Sequence, residues 1–487
     1  MSNSYNHILK YTGLFGGAQV LTVFANLVRN KVMAVLLSTQ GLGLNSMLYA
    51  AQMFASQCTN LGLSFGAVPR LSDSFEQNDV AQIRYHIQMT RLWSIIAALF
   101  GLVFCVAIAP LLGRFTFTWG HFGDHYAALS VSVAALAITG GETAILKATR
   151  RLGMLARIQF YAALASVAIS LPLYYFMGYS GILPSIILMT FFTTLATLSY
   201  SYRCYPLRLS FQRSMLHDGL EMIRLGVAFI LAAAVGSGAE MFIRSYLNIE
   251  GGLSDVGLYN AGYMIAITYA GMVFSAMETD YFPRLSGVAN DIQATNETVN
   301  KQMEVSLLLL SPMLMALMVL LPVLIPVLFS MEFLSVIAMA QVAVLAMYFK
   351  VMTLPVAYIT LARRRSLAFL LLESSYFVVL VIAVAVGYRQ ADVFGAGVGV
   401  VVAHVFDYLL INIFAYYRYD YRCTWPLMGY AVVQLSIACV AYWVTCTTDG
   451  VAYWMIEAAL TLVSTAYSIT ILHQKTHLWE ALRKRFF

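Results

Sequence analysis

Residues 43–72 read GLNSMLYAAQMFASQCTNLGLSFGAVPRLS, and residues 257–286, 214 positions further on, read GLYNAGYMIAITYAGMVFSAMETDYFPRLS. Gly43, Leu44, Tyr49, Pro69, Arg70, Leu71 and Ser72 recur without a gap at Gly257, Leu258, Tyr263, Pro283, Arg284, Leu285 and Ser286. Biased apolar composition alone would give about two or three such matches, so the pair is read as an internal duplication. Each stretch is an apolar run of helical length that ends on Pro-Arg-Leu-Ser. Its surroundings set the class: 487 residues, 60% hydrophobic, 11% charged, mean hydropathy +0.76. A water-soluble globular chain carries about a quarter charged residues, so this one is built for lipid. The apolar runs exceed about 18 residues and lack the alternation of a barrel strand, which leaves α-helices as the spanning element.

Apolar runs bounded by charge and turn clusters predict spans near 11–38, 42–67, 92–113, 127–146, 155–177, 180–202, 223–245, 257–281, 304–330, 334–361, 367–387, 395–417, 426–446 and 452–471. The expected fold is an all-α polytopic membrane protein of about fourteen transmembrane helices, with two pseudo-equivalent six-helix bundles and two additional C-terminal helices. The corresponding domains are residues 1–222, 223–417 and 418–487. With the amino terminus in the cytoplasm, 23 of the 29 Lys and Arg fall on the inner side, among them Arg363, Arg364 and Arg365. That asymmetry predicts that both termini are cytoplasmic. The net charge of +6 then follows from topology and from anionic headgroups, and no nucleic-acid partner is expected. The first apolar run lacks a small-residue cleavage site and reads as a retained span. Six scattered cysteines show no metal-ligand spacing.

Helices 2 and 8 are each the second of a six-helix set, which makes the repeat parallel and suits a transporter that opens a midplane cavity to alternate sides. In helix 1, Gln19, Thr22, Asn26 and Arg29 fall on one face; in helix 2, Asn45, Tyr49, Gln52, Ser56 and Thr59 do the same. Such stripes must meet other helices or water, because polar groups facing lipid cost several kcal/mol each. Interhelical hydrogen bonding and a wet cavity are the two readings. Charges inside spans are functional candidates. Arg29 continues the helix 1 stripe, although it lies near enough to the outer boundary to snorkel. Glu240 and Arg244 in helix 7 have the i,i+4 spacing of an internal ion pair. Arg244 is one position from the repeat equivalent of Arg29, and two such guanidinium groups match an anionic phosphate. His404 and Asp407 lie one turn apart in helix 12 and form either a structural hydrogen bond or, with Glu373 of helix 11 and Glu240, a path for a coupling proton. Lys350 and Glu457 are weaker candidates, and Glu142, Glu278 and Asp280 near helix ends read as interfacial.

No GxxxxGK[ST], HExxH or GxSxG pattern occurs, so nucleotide hydrolysis, zinc proteolysis and serine-esterase chemistry have no sequence support. No catalytic residues, metal or cofactor are expected beyond a coupling ion, H+ or Na+.

The amino-terminal stretch Lys10-Tyr11-Thr12-Gly13, Gly16-Gly17-Ala18-Gln19, Leu27-Val28-Arg29-Asn30-Lys31, Gly41-Leu42-Gly43-Leu44 and Asn60-Leu61-Gly62-Leu63 closely resembles bacterial polysaccharide-biosynthesis flippases. These are the Wzx-like lipid-linked oligosaccharide flippases of the multidrug/oligosaccharidyl-lipid/polysaccharide exporter superfamily. The resemblance implies a non-enzymatic transporter of the bacterial inner membrane that carries a polyprenyl-pyrophosphate-linked glycan to the periplasmic leaflet. It implies a cationic cavity, with Arg29 and Arg244 for pyrophosphate and Gln19, Asn26, Asn45, Tyr49 and Gln52 for sugar. Membrane lipids and other polysaccharide-assembly proteins are the further partners. A drug/cation antiporter of the same superfamily would want acidic cavity residues, and a membrane glycan polymerase or glycosyltransferase would want a substantial outer loop or a cytoplasmic domain.

Overall fold

The computed structural model describes residues 2–116, 123–207 and 212–476, with side chains for all of these except 2–19, 64–65, 115–116, 225–226, 228, 269–270, 272–273, 275–280 and 476. Every element is helical among the described residues: α1 (Ser2–Thr59), α2 (Leu63–Glu76), α3 (Val80–Thr116), α4 (Gly123–Ala148), α5 (Leu152–Met177), α6 (Ile182–Cys204) and α7 (Arg213–Gly251). There follow α8 (Leu253–Tyr263), a π-helical turn (Met264–Tyr269), α9 (Ala270–Val288), α10 (Ile292–Leu328), α11 (Ile337–Ala362), α12 (Ser366–Tyr419), α13 (Trp425–Thr447) and α14 (Gly450–Thr476). Nine described segments are long and apolar enough to cross a membrane. Three of them, Val20–Thr59, Leu152–Cys204 and Ser366–Tyr419, are hairpins with two legs each. With the bent α7 and the α8–α9 pair these account for the fourteen spans read from the sequence. The span expected at 42–67 differs in detail, because the chain breaks after Thr59 and restarts at Leu63, Gly62 taking φ 63°.

The hairpins are closed by single residues rather than by loops. Ser38 turns α1 back on itself at φ 60°, ψ −168°, and Gly252 after α7 does the same at φ 87°, ψ 178°. These positions are 214 residues apart. So are Arg150 (φ 56°) and Arg364 (φ 55°), and so are Gly178 (φ 58°, ψ −133°) and Asp392 (φ 48°, ψ −140°). Turn hydrogen bonds repeat with them: Arg151 N donates to Leu146 O and Arg365 N to Thr360 O, both at 2.9 Å. The offset first seen in thirty residues of sequence therefore runs through the backbone of helices 1–6 and 7–12.

The repeats also touch reciprocally. A Cβ on Gly43 would lie 2.0 Å from Leu253 O, and one on Gly257 would lie 2.0 Å from Thr39 O. Thr39 and Leu253 are themselves repeat equivalents, so the contact is isologous. Only a missing side chain permits this approach, which explains why glycine stands at both positions.

The chain forms two compact units, residues 1–257 with 328–330, and residues 258–327 with 331–487. Within the first, helices are joined by hydroxyl groups as well as by apolar packing. Thr139 and Thr194 meet across α4 and α6 at 2.9 Å, the kind of contact that replaces the hydrophobic drive absent in lipid. Arg91 of α3 forms a two-pronged pair with Glu142 of α4 at 2.8 and 3.2 Å and donates to the carbonyls of Tyr205 and Pro206, while Ser201 donates to Glu142 at 2.5 Å. Glu142, read from sequence as interfacial, is thus 2% exposed and sits in a closed network. Its position near a helix end hid the partner supplied by α3.

Within the second unit, the connection at residues 420–424 is clasped to α10. Asn296 donates to Asp420 O and accepts from Arg422 N, and Asn300 donates to Arg422 O and accepts from Thr424 N. The extra pair α13–α14 is tied in by Tyr453, which donates to Val319 O at 2.9 Å, and by the Lys475–Glu304 pair at 2.5 Å.

Candidate functional site

In the first unit the two legs of α1 and the helix α7 run side by side. Phe54 lies against Gly238, and Thr39 and Ser254 hydroxyls meet at 2.8 Å. Three charged groups face Tyr49 from these helices: Arg29, Glu240 and Arg244 all act electrostatically on its hydroxyl. At 1.5 Å per residue, Arg29 and Tyr49 lie about 14 and 17 Å along α1 from Ser38, and Arg244 about 12 Å along α7 from Gly252. The three therefore share a depth well inside the helical bundle. Tyr49 is exposed, with 53% of its surface accessible.

The charges there do not cancel. Glu240 accepts from Arg244 at 3.1 Å as the i,i+4 spacing predicts, and Arg244 also donates to Glu240 O at 3.0 Å. Among the described residues Arg29 has no acidic partner; its Nη1 lies 3.8 Å from Met189 Sδ, and its buried Nε has no hydrogen-bond acceptor. A charged donor left unsatisfied inside a protein costs about 1–3 kcal/mol or more. Arg29, Glu240 and Arg244 together leave one net positive charge beside Tyr49.

The other stripe residues are placed as follows. Asn26 and Asn45 are half-buried on α1 near this site. Gln52 is 1% exposed and donates to Thr190 of α6 at 3.2 Å, which spends it on packing in this conformation. The side chain of Gln19 lies outside the described residues, as do those of Glu278 and Asp280.

The second unit holds a different polar cluster. His404 and Asp407 on the second leg of α12 are 2% and 5% exposed. His404 Nδ1 pairs with Val400 O at 2.9 Å and Nε2 with the Tyr376 hydroxyl at 3.4 Å. Lys350 of α11 stands over the Tyr376 ring, 5.7 Å from its centroid, and acts on both His404 and Asp407. Glu373, one turn from Tyr376, acts on Asp407. The sequence reading brings out His404, Asp407 and Glu373 but not Tyr376, one of 30 tyrosines; its i+3 spacing from Glu373 was the available signal. No group of His, Cys, Asp and Glu among the described residues is arranged to hold a metal.

Solved structures share this architecture. An inward-facing multidrug resistance MATE family transporter of the MOP superfamily matches with TM-score 0.70 at 12% identity, over 82% of this chain and 94% of its own. The lipid II flippase MurJ in an inward closed conformation matches with TM-score 0.71 at 12% identity, over 95% and 99%. A MOP superfamily transporter from Pyrococcus furiosus Vc1, described as having a binding pocket of reverse polarity, matches with TM-score 0.58 at 13% identity, over 84% and 93%. The fold is thus the one that these solved structures share. The family model described as polysaccharide biosynthesis protein matches residues 32–338, and the chain belongs to that family. No curated protein matches it.

Proposed function

We propose that the protein is a flippase that moves polyprenyl-pyrophosphate-linked oligosaccharide repeat units from the cytoplasmic to the periplasmic leaflet of the bacterial inner membrane, with both termini cytoplasmic. Family membership points to polysaccharide assembly, and the fold to a transporter. The observation that carries the substrate class is the pairing of Arg29 with Arg244, one on the first helix of each repeat, around the accessible Tyr49. Guanidinium groups bind pyrophosphate oxygens two at a time. The Tyr49 ring and the amides of Asn26 and Asn45 suit the first sugars, because an aromatic face stacks on a pyranose and amides pair with hydroxyls.

The cycle proposed is alternating access, with the two repeats changing their arrangement about the bound headgroup. A proton or sodium gradient would drive it through the acidic groups Glu240, Glu373 and Asp407 with His404. Deleting the gene in its host should trap completed lipid-linked repeat units on the cytoplasmic face and abolish surface polysaccharide. Wild type should restore export and Arg29→Ala should not. Normal export with new sensitivity to cationic dyes would overturn the reading in favour of a drug antiporter, and single repeat units stranded on the outer face would point to a polymerase.

A further inference from the structure

The polar cluster of the second unit has no counterpart at the equivalent positions of the first repeat. The repeat equivalents of Lys350, Glu373, Tyr376, His404 and Asp407 are Leu136, Gln159, Ala162, Thr190 and Thr193. There the threonines do ordinary packing work: Thr190 accepts from Gln52, and Thr193 donates to Met189 O at 2.9 Å. A second asymmetry adjoins the first. The π-helical turn Met264–Tyr269 packs on α11, whereas the equivalent residues 50–55 are regular α-helix. Such turns recur at functional positions, since they free a backbone carbonyl from the helical ladder.

Depth and pairing sharpen the picture. Lys350 lies 12 residues before Ala362 and Asp407 12 before Tyr419, about 18 Å along each helix. These two ends adjoin, the Arg363 guanidinium lying 4.8 Å from the Tyr419 ring. Lys350 and Asp407 therefore share one level in the middle of the bundle. Yet among the described residues neither makes a hydrogen bond or an ion pair within contact distance. A carboxylate 95% buried with a cation in electrostatic reach but not in contact describes an ion site with its ion set slightly back. Among the described residues the groups around it are Lys350 from α11, Glu373 and Tyr376 from the first leg of α12, His404, Asp407 and Tyr408 from the second, and Tyr259 and Tyr263 from α8. Both His404 nitrogens are engaged, which makes it a positioning residue for Tyr376 under the Lys350 ammonium.

We propose that this cluster is a cation site whose resident ion is the Lys350 ammonium. The tethered charge takes the place of an alkali cation beside Asp407 and Glu373, so the site exchanges a proton at Asp407 and does not bind sodium. The coupling role rests on the transporter reading above; the binding behaviour does not.

The test uses purified full-length protein in detergent, with thermal unfolding followed by intrinsic fluorescence in about 100 mM NaCl, LiCl or choline chloride from pH 5 to pH 8. A ligand that binds only the folded state raises the midpoint. Wild type and Lys350→Arg should show no sodium-specific or lithium-specific shift, but a midpoint that depends on pH. Lys350→Met opens the place of the ammonium and should gain a sodium- or lithium-specific rise of about 3 °C or more. Lys350→Met with Asp407→Asn should lose that gain, and Asp407→Asn alone should flatten the pH dependence. A sodium shift in wild type, or a folded Lys350→Met that gains none, would overturn the proposal. If Lys350→Met does not fold, Lys350→Gln serves the same reading. None of these outcomes involves a glycan, so failure here leaves the cargo assignment standing.

Discussion

Arg29 and Arg244 differ in what surrounds them, and that difference predicts how each responds to change. Arg244 is held by Glu240, so its removal also leaves that carboxylate without its pair. Arg29 is held by nothing acidic among the described residues, so its removal subtracts a single positive charge. A charge-assisted hydrogen bond is worth about 1.5–3 kcal/mol, so Arg29→Ala should weaken polyprenyl-pyrophosphate binding roughly ten- to hundredfold. Arg244→Ala should weaken it more, and Arg244→Ala with Glu240→Gln should recover part of the loss. Equilibrium binding of a short-chain polyprenyl pyrophosphate to purified protein checks the series; equal loss in both single variants with no recovery would argue against a shared anion site. Arg91 and Glu142 behave oppositely, as structural charges. Breaking a fully buried pair from one side costs about 3–5 kcal/mol, so Arg91→Met or Glu142→Leu should each sharply lower thermal stability, while the double replacement should regain much of it. At this scale the i,i+4 pair and the arginine one position off the repeat were legible, because both follow from spacing along one chain. The Arg91 pairing and the Tyr376 contact were not, because each depends on which helix faces which.

The elements were legible for a physical reason: a helix in lipid must satisfy its own backbone, so span position reduces to counting apolar residues between charges. The turns that separate the spans obey a subtler constraint, and the repeat exposes it. Where one copy has glycine at a left-handed position, the other has a residue that strains to adopt it: Ser38 opposite Gly252, and Asp392 opposite Gly178. A side chain in such a conformation costs of the order of 1 kcal/mol. Ser38→Gly and Asp392→Gly should therefore each raise stability by about that amount, read as a higher unfolding midpoint in detergent, whereas Gly252→Ser should lower it. A fall on Ser38→Gly would show that the serine earns its place by an interaction at the turn. The break at Asn60 to Gly62 was invisible in the apolar pattern, because hydropathy does not change across it; the cue was the Leu61-Gly62 step itself.

At the scale of the whole molecule, duplication explains the placement of function better than composition does. Both repeats carry an arginine on the first helix and a Pro-Arg-Leu-Ser segment after the second, yet the proposed anion site uses charges of both first helices while the lysine-centred cluster belongs to the second repeat alone. The two copies of the scaffold thus share some polar groups and differ in others. Sequence periodicity could show the scaffold and the candidate charges, but cavity lining and packing look alike in a polar stripe. Asn26, Tyr49 and Gln52 illustrate the limit, since only the structure separates the accessible tyrosine from the glutamine locked against Thr190. The central claim is best tested by reconstituting the purified protein in liposomes. A polyprenyl-pyrophosphate-linked oligosaccharide with a labelled sugar would be followed by its accessibility to an external glycosidase. Transbilayer movement by wild type, reduced at least about tenfold by Arg29→Ala and absent in protein-free vesicles, is the predicted result. Equal movement by wild type and Arg29→Ala, or none by a wild type shown to be folded, would contradict it.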